Sequence, residues 1–408
     1  MRRPIRIFIS TGEVSGDLQG SLLIEALYRL AQSQDLELEV LALGGDRMSA
    51  AGATLLGNTS EIGAMGPLES LGFVLPTLQV QRQAKQYLQQ HPPDIVVLID
   101  YMGPNVALCG YMAKALPQVP LVYYIAPQEW VWAANSHNTD RIVQTTDRVL
   151  AIFPEEAHYF QHQGASVSWV GHPLVDRMQA APDRATARQA LGLRADQLVI
   201  TLLPASRQQE IKYLMPVIFE AAQTIQQKLP DVQFLIPLAL EKYRPPIAAA
   251  IQHYGLQATI LADQRYSTSL SPATSRTLQA IAAADLAITK SGTVNLEIAL
   301  LDVPQVVLYK VSRGTAWLMK NIFQFSIPFM SPTNLVTMQP IVPEFLQHEA
   351  TPDKIAQEAL EILLNSQRRQ AMLAGYVTMR QALGEVGVCD RAAQEILQLV
   401  LSPVTASP

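Results

Sequence analysis

The sequence of 408 residues predicts an α/β fold with two Rossmann-like domains, each a parallel sheet covered by helices, facing a central cleft. Short, apolar, β-rich runs alternate with helical patterns in both halves, which is typical of parallel strands joined by crossover helices. The length suits about two domains, and an apolar content of 49% is enough for two large cores. A ligand is therefore expected between the two halves.

The domain limits follow from a change in composition. Residues 176–197 are rich in Ala, Arg and Asp, and we expect them to link a first domain, residues 1–175, to a second domain, residues 198–365. Helices are expected over residues 366–408. The pattern leaves open whether these C-terminal helices cross back to the first domain.

Composition and charge argue against several classes of protein. A net charge of −5 argues against a nucleic-acid-binding surface. The two cysteines, Cys109 and Cys389, lie in apolar helical patterns, which supports neither a disulfide framework nor a zinc site. Neither a run of 18 apolar residues nor a signal peptide is apparent. We expect a cytoplasmic protein that is soluble or peripherally attached to a membrane.

The first predicted βα unit carries an informative turn. An apolar run over residues 5–9 ends in Ser10-Thr11-Gly12, and a helix pattern starts near Gly16-Asp17. Such a turn points backbone N–H groups at a ligand, although GEVSGD lacks the G-x-G-x-x-G spacing of a dinucleotide site. Glu13, Ser15 and Asp17 add side-chain oxygens. Ser15 and Asp17 are equally consistent with plain helix caps.

The remaining elements are predicted from the same two periodicities. In the first half, strands are expected at residues 37–43, 95–99, 121–125, 149–153 and 168–170, with a helix at 81–90. In the second half, strands are expected at residues 198–203, 232–236, 259–261, 286–289 and 306–309. Amphipathic helices are expected over residues 352–400.

The second half carries the pattern of a phosphate site. Ser291, Gly292 and Thr293 follow a predicted strand and open a helix, so that backbone N–H groups and two hydroxyls can hold a diphosphate. Glu297, one turn further along, can accept hydrogen bonds from paired ribose hydroxyls. Arg207 lies at another strand end, where its guanidinium can neutralise phosphate.

Two absent motifs narrow the class of ligand. The motif G-x-x-x-x-G-K-[ST] is missing, which excludes a P-loop ATPase, and no D-x-D follows a strand to hold a metal–nucleotide pair. The pattern is therefore consistent with a nucleotide-sugar site that works without metal, and no cofactor is expected. Taken singly, Ser291 and Thr293 are also consistent with ordinary caps, and Arg207 with a surface ion pair.

Asp100 is the first candidate for a general base in the first half. It follows an apolar strand, where partial burial would raise the pKa of its carboxyl group. An aspartate in this position is otherwise a cap of the next helix. His172, at another strand end, is the rival catalytic residue, and Glu13 and Glu129 are weaker candidates.

Apolar and aromatic segments suggest contacts with lipid, although each also fits a protein core. Trp130 and Trp132 would line an acceptor groove. One membrane-contacting patch is expected from Met65, Leu68, Leu71, Phe73, Val74 and Leu75. A second is expected from Trp317, Leu318, Ile322 and Phe323, with Arg313 and Lys320 nearby.

An ordered series of motifs resembles one known family. The motifs are GEVSGD, GGDRM, MGPLESLG, IDYMGPN, APQEWVW, GHPLVD, LPASRQQEI, SGTVNLE and SPTNLV…IVPEFLQ. Their order and spacing are similar to those of lipid-A-disaccharide synthases, from about Ile5 to Leu363. Each motif is weak alone, but the ordered series is specific.

The resemblance implies a metal-independent, inverting glycosyltransferase of the two-domain GT-B architecture. Such an enzyme moves 2,3-diacylglucosamine from UDP to the 6-hydroxyl of 2,3-diacylglucosamine 1-phosphate (lipid X). The product is a β-1,6 disaccharide made at the cytoplasmic face of the inner membrane. The implied partners are therefore a UDP-linked acylated amino sugar, a lipid acceptor and the membrane surface, and a homodimer is possible.

The same resemblance implies roles for individual residues. Asp100 becomes the base, and the acceptor side comprises Gly12, Glu13, Ser15, Gly16, Asp17, Asn105, Trp130 and Trp132. The UDP side comprises Ser206, Arg207, Ser291, Gly292, Thr293, Glu297 and Asn334.

Some positions depart from the family pattern. IDYMGPN stands where IDAPDFN is usual, and LPASR stands where LPGSR is usual. Ala133 and Gln339 stand where arginines are usual, which bears on a phosphorylated acceptor more than on UDP-sugar transfer. Two alternatives therefore stay open. One is a related UDP-sugar enzyme with another lipid or glycan acceptor, or a UDP-sugar 2-epimerase. The other is a non-catalytic nucleotide-sugar-binding protein.

Overall fold

A computed structural model describes residues 3–59, 74–131, 136–262, 272–312, 314–317 and 328–401. The chain divides into two compact units. The first unit comprises residues 1–176 and 383–408, and the second comprises residues 177–382. Each unit contains one parallel sheet with helices, which confirms the predicted α/β class.

The first unit contains a seven-stranded sheet. Its strands are β1 (Ile5–Ser10), β2 (Leu38–Gly44), β3 (Thr54–Asn58), β4 (Ile95–Ile99), β5 (Leu121–Tyr124), β6 (Arg148–Ala151) and β7 (Val167–Trp169). They pair in parallel in the order β3-β2-β1-β4-β5-β6-β7. Because the strand order reverses between β1 and β4, a ligand crevice is expected outside their carboxyl ends.

Helices between these strands bury the apolar faces of the first sheet. They are α1 (Glu13–Ser33), α2 (Asp46–Ala50), α3 (Val74–Gln90), α4 (Met102–Ala115), α5 (His137–Thr145) and α6 (Pro154–His162). All five residues of β4 are buried, as expected for a central strand covered on both faces. The core beside it includes Phe8, Leu88, Met112, Tyr123 and Phe160.

The second unit contains a six-stranded parallel sheet. Its strands are β8 (Val199–Leu203), β9 (Gln233–Pro237), β10 (Ala258–Leu261), β11 (Leu286–Lys290), β12 (Gln305–Tyr309) and β13 (Glu344–Leu346), in the order β10-β9-β8-β11-β12-β13. Short helix α7 (Leu174–Met178) lies at the boundary between the units. The helices that follow are α8 (Arg184–Ala190), α9 (Gln208–Tyr213), α10 (Met215–Lys228), α11 (Arg244–Tyr254), α12 (Arg276–Ala283), α13 (Val294–Leu300), α14 (Pro332–Leu335), α15 (Pro352–Leu364) and α16 (Ser366–Leu383).

Several elements differ from the sequence-based expectation. Helix α1 begins at Glu13, directly after the turn, and not near Gly16-Asp17. Helix α3 begins at Val74 and not at residue 81. The sequence patterns did not indicate β3 or β13. Both are short edge strands of half-buried or exposed residues, so neither shows the apolar run of a central strand.

The expected linker, residues 176–197, is part of the folded structure. From Arg177 onward it belongs to the second unit, and it contains α8. The buried Arg188 guanidinium donates a hydrogen bond to the carbonyl of Ala283 at 3.0 Å and one to the carboxylate of Asp285 at 2.9 Å. This ion pair and the buried Ala187 anchor the segment to the sheet.

The final helix, α17 (Val388–Leu401), packs on α1 in the first unit, whereas residues 366–382 belong to the second unit. Asp176 caps this helix from a distant position in the sequence. Its carboxylate accepts hydrogen bonds from the backbone N–H groups of Gly387 at 2.6 Å, Val388 at 3.2 Å and Cys389 at 2.8 Å. These N–H groups have no partner within their own helix, so the carboxylate replaces solvent.

We expect Asp176→Ala to destabilise the protein by about 2 kcal/mol, because three N–H groups at the start of α17 lose a charged acceptor. The measurement is the midpoint of urea unfolding. Asp196→Ala is the matched control, because the Asp196 side chain is 80% exposed and its pairing with Arg194 is a surface contact. Equal midpoints for the two variants would contradict the capping role.

Candidate active site

Four residues at the carboxyl ends of adjacent strands adopt the left-handed backbone conformation, although none is glycine. Glu13 follows β1, Asp100 and Tyr101 follow β4, and Ile125 follows β5, with φ angles of 61°, 45°, 57° and 60°. For the β-branched Ile125 this conformation is a genuine outlier. Strained residues cluster at functional sites, where surrounding contacts hold them in place. The strain therefore points to this edge of the sheet as a site.

Hydrogen bonds to both the N–H and the carbonyl group of Asp100 fix its backbone. Its N–H donates to the carbonyl of Ile125 at 2.9 Å. Its own carbonyl accepts from the Tyr123 hydroxyl at 2.9 Å and from the Asn105 amide at 2.9 Å. These bonds use the backbone groups of Asp100, and the residue as a whole is exposed.

Asn105 supports the turn that follows β4. Its side chain is buried, and its amide also donates to the carbonyls of Ser10 and Ile99, while its oxygen accepts from the Ser10 hydroxyl at 2.7 Å. These bonds join the ends of β1 and β4, and the substrate contact of Asn105 stays a prediction.

Asp100 combines contact with solvent and a raised pKa. The residue is exposed, yet the protein surrounds its carboxyl group densely enough to remove part of its hydration. This burial, and then the negative charge of Glu13, raise the pKa of the Asp100 carboxyl to about 6. An accessible carboxylate with a pKa near neutrality is suited to accept a proton from a substrate hydroxyl.

The two glycines of the first turn are required by packing. A Cβ atom at Gly12 would overlap the ring of Tyr101, and a Cβ atom at Gly16 would overlap the hydroxyl of Thr11. The Tyr101 ring therefore lies against the turn that carries Glu13, and Tyr101 directly follows Asp100 in the chain. Its hydroxyl is 3.4 Å from that of Thr77 on α3.

Asp17 supports the neighbouring turn, and its acceptor-side role stays a prediction. It is buried on α1, and its carboxylate accepts the backbone N–H groups of Gly45, Arg47 and Met48 at 2.8, 3.2 and 3.1 Å. These bonds fix the turn between β2 and α2. Ser15 lies two residues earlier on the same helix and is half-buried.

His172 is also structural. The ring is buried against Phe153, with 5.5 Å between ring centroids, and its Nδ1 accepts the backbone N–H of Leu174 at 3.1 Å. Burial lowers the pKa of His172 to about 3, so that it is a weak base at neutral pH. This environment differs from the predicted catalytic one.

Glu129 and Trp130 lie in the short helical turn after β5. Glu129 is buried and accepts a hydrogen bond from the Asn138 amide at 3.0 Å, and burial raises the pKa of its carboxyl group. Trp130 is half-buried, with its ring centroid 5.8 Å from that of Phe153. Trp132 lies outside the described residues.

Sequence patterns did not indicate Glu156 on α6. Its buried carboxylate accepts the N–H groups of Ala126 at 2.9 Å, Ile152 at 2.8 Å and Phe153 at 3.3 Å. It therefore joins the segments after β5 and β6, immediately beside the strained Ile125. Burial raises the pKa of Glu156 to about 7, against the opposing effect of these three bonds.

In the second unit, the turn after β11 is held by its own neighbours. The N–H of Ser291 donates to the carbonyl of Leu308 at 2.8 Å, and the Ser291 hydroxyl donates to the carbonyl of Met330 at 2.6 Å. The N–H of Gly292 donates to the Asn295 side chain at 2.8 Å. Two of the backbone donors that were expected to hold a diphosphate are therefore engaged within the protein.

Charged side chains collect beside this turn, at the carboxyl ends of β8 and β11. Glu210 on α9 lies 3.7 Å from an Arg207 guanidinium nitrogen and 3.6 Å from the Lys290 ammonium nitrogen. Glu210 also accepts the N–H groups of Ser206 and Arg207 at 2.5 and 3.0 Å. Ser206 and Arg207 were predicted from the sequence to lie on the UDP side, whereas Lys290 and Glu210 were not among the predicted residues.

Glu297 and Asn334 have clear structural partners. Glu297 lies on α13, nearly buried, with an oxygen 3.5 Å from Nε of Arg177. Asn334 is buried, and its side chain bonds to both the N–H and the carbonyl of Val342 and to the Glu344 carboxylate at 2.7 Å. Asn334 therefore supports the segment before β13, and its contact with UDP stays a prediction.

The described residues contain neither a cluster of metal-binding side chains nor a helix that could span a membrane. No group of three or more His, Cys, Asp or Glu side chains in those residues is arranged to hold a metal ion. Within the same parts of the chain, every helix is too short or too polar to cross a bilayer.

The fold places the protein in the class of α/β proteins that have two Rossmann-like domains. It is similar to UDP-GlcNAc 2-epimerase from Neisseria meningitidis bound to UDP-GlcNAc, with a TM-score of 0.61 and 13% identity, covering 96% of this chain and 99% of the other. It is also similar to S. aureus MnaA in a UDP co-structure, with a TM-score of 0.63, 15% identity and 99% of each chain covered. At these identities the likeness concerns the fold alone.

Sequence comparison identifies the family within this class. The family model described as lipid-A-disaccharide synthetase matches residues 7–399. Lipid-A-disaccharide synthase from Gloeothece citriformis is 59% identical over 396 residues, which cover 97% of this chain and 100% of the relative. The Synechocystis sp. synthase is 53% identical over 395 residues, which cover 97% and 98%. The chain belongs to the lipid-A-disaccharide synthase family and is a glycosyltransferase.

The environment of Asp100 predicts a pH-dependent effect of Asp100→Asn on stability. Folding raises the carboxyl pKa from its ordinary value of 3.8 to about 6. The folded state therefore binds the proton more tightly, so stability is lost as the pH rises through this window. Asparagine carries no charge and tolerates the left-handed conformation.

The measurement is the melting temperature of the wild type and of Asp100→Asn at pH 4 and pH 8. We expect the variant to be more stable than the wild type at pH 8 and nearly equal to it at pH 4. A variant that is less stable at pH 8 would contradict a desolvated carboxylate at this position.

Proposed function

We propose that the protein transfers 2,3-diacylglucosamine from UDP to the 6-hydroxyl of 2,3-diacylglucosamine 1-phosphate, forming the β-1,6 lipid A disaccharide and UDP. Membership of the family supports lipid A disaccharide formation from a UDP-sugar. The observation that carries the mechanism is Asp100, an accessible carboxylate with a raised pKa on a strained turn. The identity of the acceptor is part of the proposal.

In the proposed step, the oxygen of the acceptor hydroxyl attacks C1 of the donor sugar while the Asp100 carboxylate takes the proton of that hydroxyl. The bond from C1 to the diphosphate oxygen breaks, its electron pair remains on UDP, and the configuration at C1 inverts. General-base catalysis of this kind supplies roughly 10²–10⁴-fold in rate. Correct placement of two bound substrates supplies a further contribution of about 7–11 kcal/mol to the barrier reduction.

Several residues near Asp100 belong, in this proposal, to the acceptor side of the site. Glu13 stands beside the base and raises its pKa, so we place it with Ser15, Gly12 and Gly16 at the acceptor side. We place Trp130 there as an apolar wall for the acceptor, next to the buried Phe153. Trp132 stays a prediction, since it lies outside the described residues.

For UDP we propose a site in the second unit at the carboxyl ends of β8 and β11. Arg207 supplies positive charge to the diphosphate, and the Thr293 hydroxyl and Ser206 lie at the two turns that carry this site. Glu297 accepts hydrogen bonds from ribose hydroxyls, and Arg177 holds its carboxylate in place. Ser291 and Gly292 contribute mainly the shape of the turn, because their N–H groups bond within the protein.

We expect Asp100→Asn to lower kcat by roughly 10²–10⁴-fold while the affinity for UDP changes little, because the variant loses only the proton acceptor. In the wild type, kcat/KM should fall about tenfold per pH unit below about 6, as the carboxyl group becomes protonated. Mass spectrometry of reactions with UDP-2,3-diacylglucosamine and lipid X in detergent, with a chelator present, measures disaccharide monophosphate and UDP.

His172→Gln is the control for this experiment. The buried imidazole is neutral above about pH 3, so the acid limb of the pH profile should stay near 6 in this variant. Undiminished turnover of Asp100→Asn would remove the base role from Asp100. A wild type that releases a 2-epimer without acceptor would indicate a UDP-sugar 2-epimerase, and one that binds UDP without turnover would indicate a non-catalytic protein.

We further propose that the protein works in the cytoplasm, attached peripherally to the inner membrane. Its proposed substrates carry acyl chains, and the start of α3 exposes Val74, Leu75 and Leu78, with exposed fractions of 45%, 78% and 60%. The rest of the predicted patch, Met65, Leu68, Leu71 and Phe73, lies outside the described residues. In the second predicted patch Trp317 is 60% exposed, whereas Leu318, Ile322, Phe323, Arg313 and Lys320 lie outside them.

The paired substitution Leu75→Ser and Leu78→Ser should reduce cosedimentation with phospholipid vesicles, because it removes apolar surface that would enter the interface. Leu364→Ser is the matched control, since Leu364 is 71% exposed at the end of α15 in the second unit. Equal cosedimentation of the paired variant and the control would contradict a membrane role for the start of α3. A homodimer stays a prediction, as does the lack of nucleic-acid binding.

A further inference from the structure

Lys290 is the last residue of β11, which lies between β8 and β12 in the second sheet. The turn that follows it is fixed by Asn295, whose side chain donates to the Lys290 carbonyl at 3.1 Å and accepts from the Gly292 N–H at 2.8 Å. The N–H of Ser291 is bonded to the Leu308 carbonyl at 2.8 Å. Fewer backbone N–H groups are therefore available to bind a diphosphate than the sequence pattern suggests. Charged side chains become more important for binding it.

Two cations share one carboxylate oxygen at this place. The ammonium nitrogen of Lys290 is 3.6 Å and a guanidinium nitrogen of Arg207 is 3.7 Å from the same Oε1 atom of Glu210. The side chains of Lys290, Arg207 and Glu210 are only 13%, 23% and 7% exposed. Three such groups carry a net charge of +1 in a poorly hydrated place, where electrostatic interactions are stronger than in water.

Gly292 leaves the space in which the Lys290 ammonium lies. A Cβ atom built on Gly292 would be 2.9 Å from that nitrogen, and the other nearby atom is the adjoining side-chain carbon of Lys290. The glycine does not adopt a positive φ angle, so its backbone does not require the absence of a side chain. The missing side chain therefore allows the ammonium to approach the turn.

We propose that Lys290 binds the diphosphate of the nucleotide-sugar donor and, together with Arg207, stabilises the charge that remains on UDP when the C1–oxygen bond breaks. Glu210 holds both cations at the two adjacent strand ends. Lys290 transfers no proton and remains an ammonium ion throughout. Fixed cations aimed at a leaving group lower the barrier because the charge develops there. The inference rests on the proposed UDP site and names a further residue of that site.

The first test measures the affinity of wild type and Lys290→Met for UDP and for uridine by calorimetry or competition. Methionine keeps the length of the side chain and removes the charge. We expect UDP affinity to fall tenfold or more and uridine affinity to change less than twofold, because uridine has no phosphate. With the UDP-sugar donor, KM should rise and kcat should fall, since the charge increases in the transition state.

The second test uses Gly292→Ala, which displaces only the flexible end of Lys290. It should weaken UDP binding in the same direction, and the double variant should bind no more weakly than Lys290→Met alone, because both changes remove one interaction. Lys212→Met is the matched control. Lys212 is exposed on the same helix as Glu210 and packs over the Tyr213 ring, so its loss should leave UDP affinity unchanged.

The outcomes separate this inference from the proposed function. A wild type that does not bind UDP would overturn both. A wild type that binds UDP with the same affinity as Lys290→Met would overturn the inference alone. If Lys290→Met does not fold, Gly292→Ala decides the question, because equal UDP affinity in that variant and the wild type would show that the position of the ammonium does not matter.

Discussion

The hydrogen bond from the Asp100 N–H to the Ile125 carbonyl fixes the organisation of the first unit's site. Both residues have left-handed backbone, and this bond joins the ends of β4 and β5 while the Tyr123 and Asn105 side chains hold the Asp100 carbonyl. Asp100 is exposed at this edge of the sheet, while the protein around its carboxyl group, and then the charge of Glu13, raise its pKa. Asp100 therefore combines an exposed position with a carboxyl group whose pKa is raised.

Buried or half-buried carboxylates hold backbone segments in both units in the same manner. Asp17, Glu156, Glu210 and the half-buried Glu344 each accept two or three backbone N–H groups, from loops or, for Asp17, from the start of α2. Such bonds compensate for the cost of burying a charge and are stronger than neutral ones. The loops that carry functional side chains therefore have fixed shapes without lying in regular secondary structure. The Glu210 carboxylate also lies beside the cations of Arg207 and Lys290, so the residue that supports this loop also positions the charges proposed to bind UDP.

Sequence patterns predicted the fold and part of the site. Central strands such as β4 are wholly apolar and were predicted, whereas the edge strands β3 and β13 lack that pattern and were missed. Asp100 was chosen as a candidate base because its position follows from the strand that precedes it. Asn105 and Asn334 were predicted to contact ligands, which stays a prediction, and their buried side chains also hold neighbouring segments through hydrogen bonds. Lys290 was missed because its approach to Glu210 depends on tertiary contacts between β11 and α9.

The central claim, that the fold prepares Asp100 as a base, is tested most directly by measuring its pKa. Carbon-13 NMR of aspartate-labelled protein, titrated from pH 3 to pH 8, provides this value, and the Asp100→Asn variant identifies the resonance by its absence. The structure predicts titration at about 6, well above the ordinary value of 3.8. A resonance that titrates near 3.8 would contradict the claim, because the carboxylate would then be too weak a base for the role proposed here.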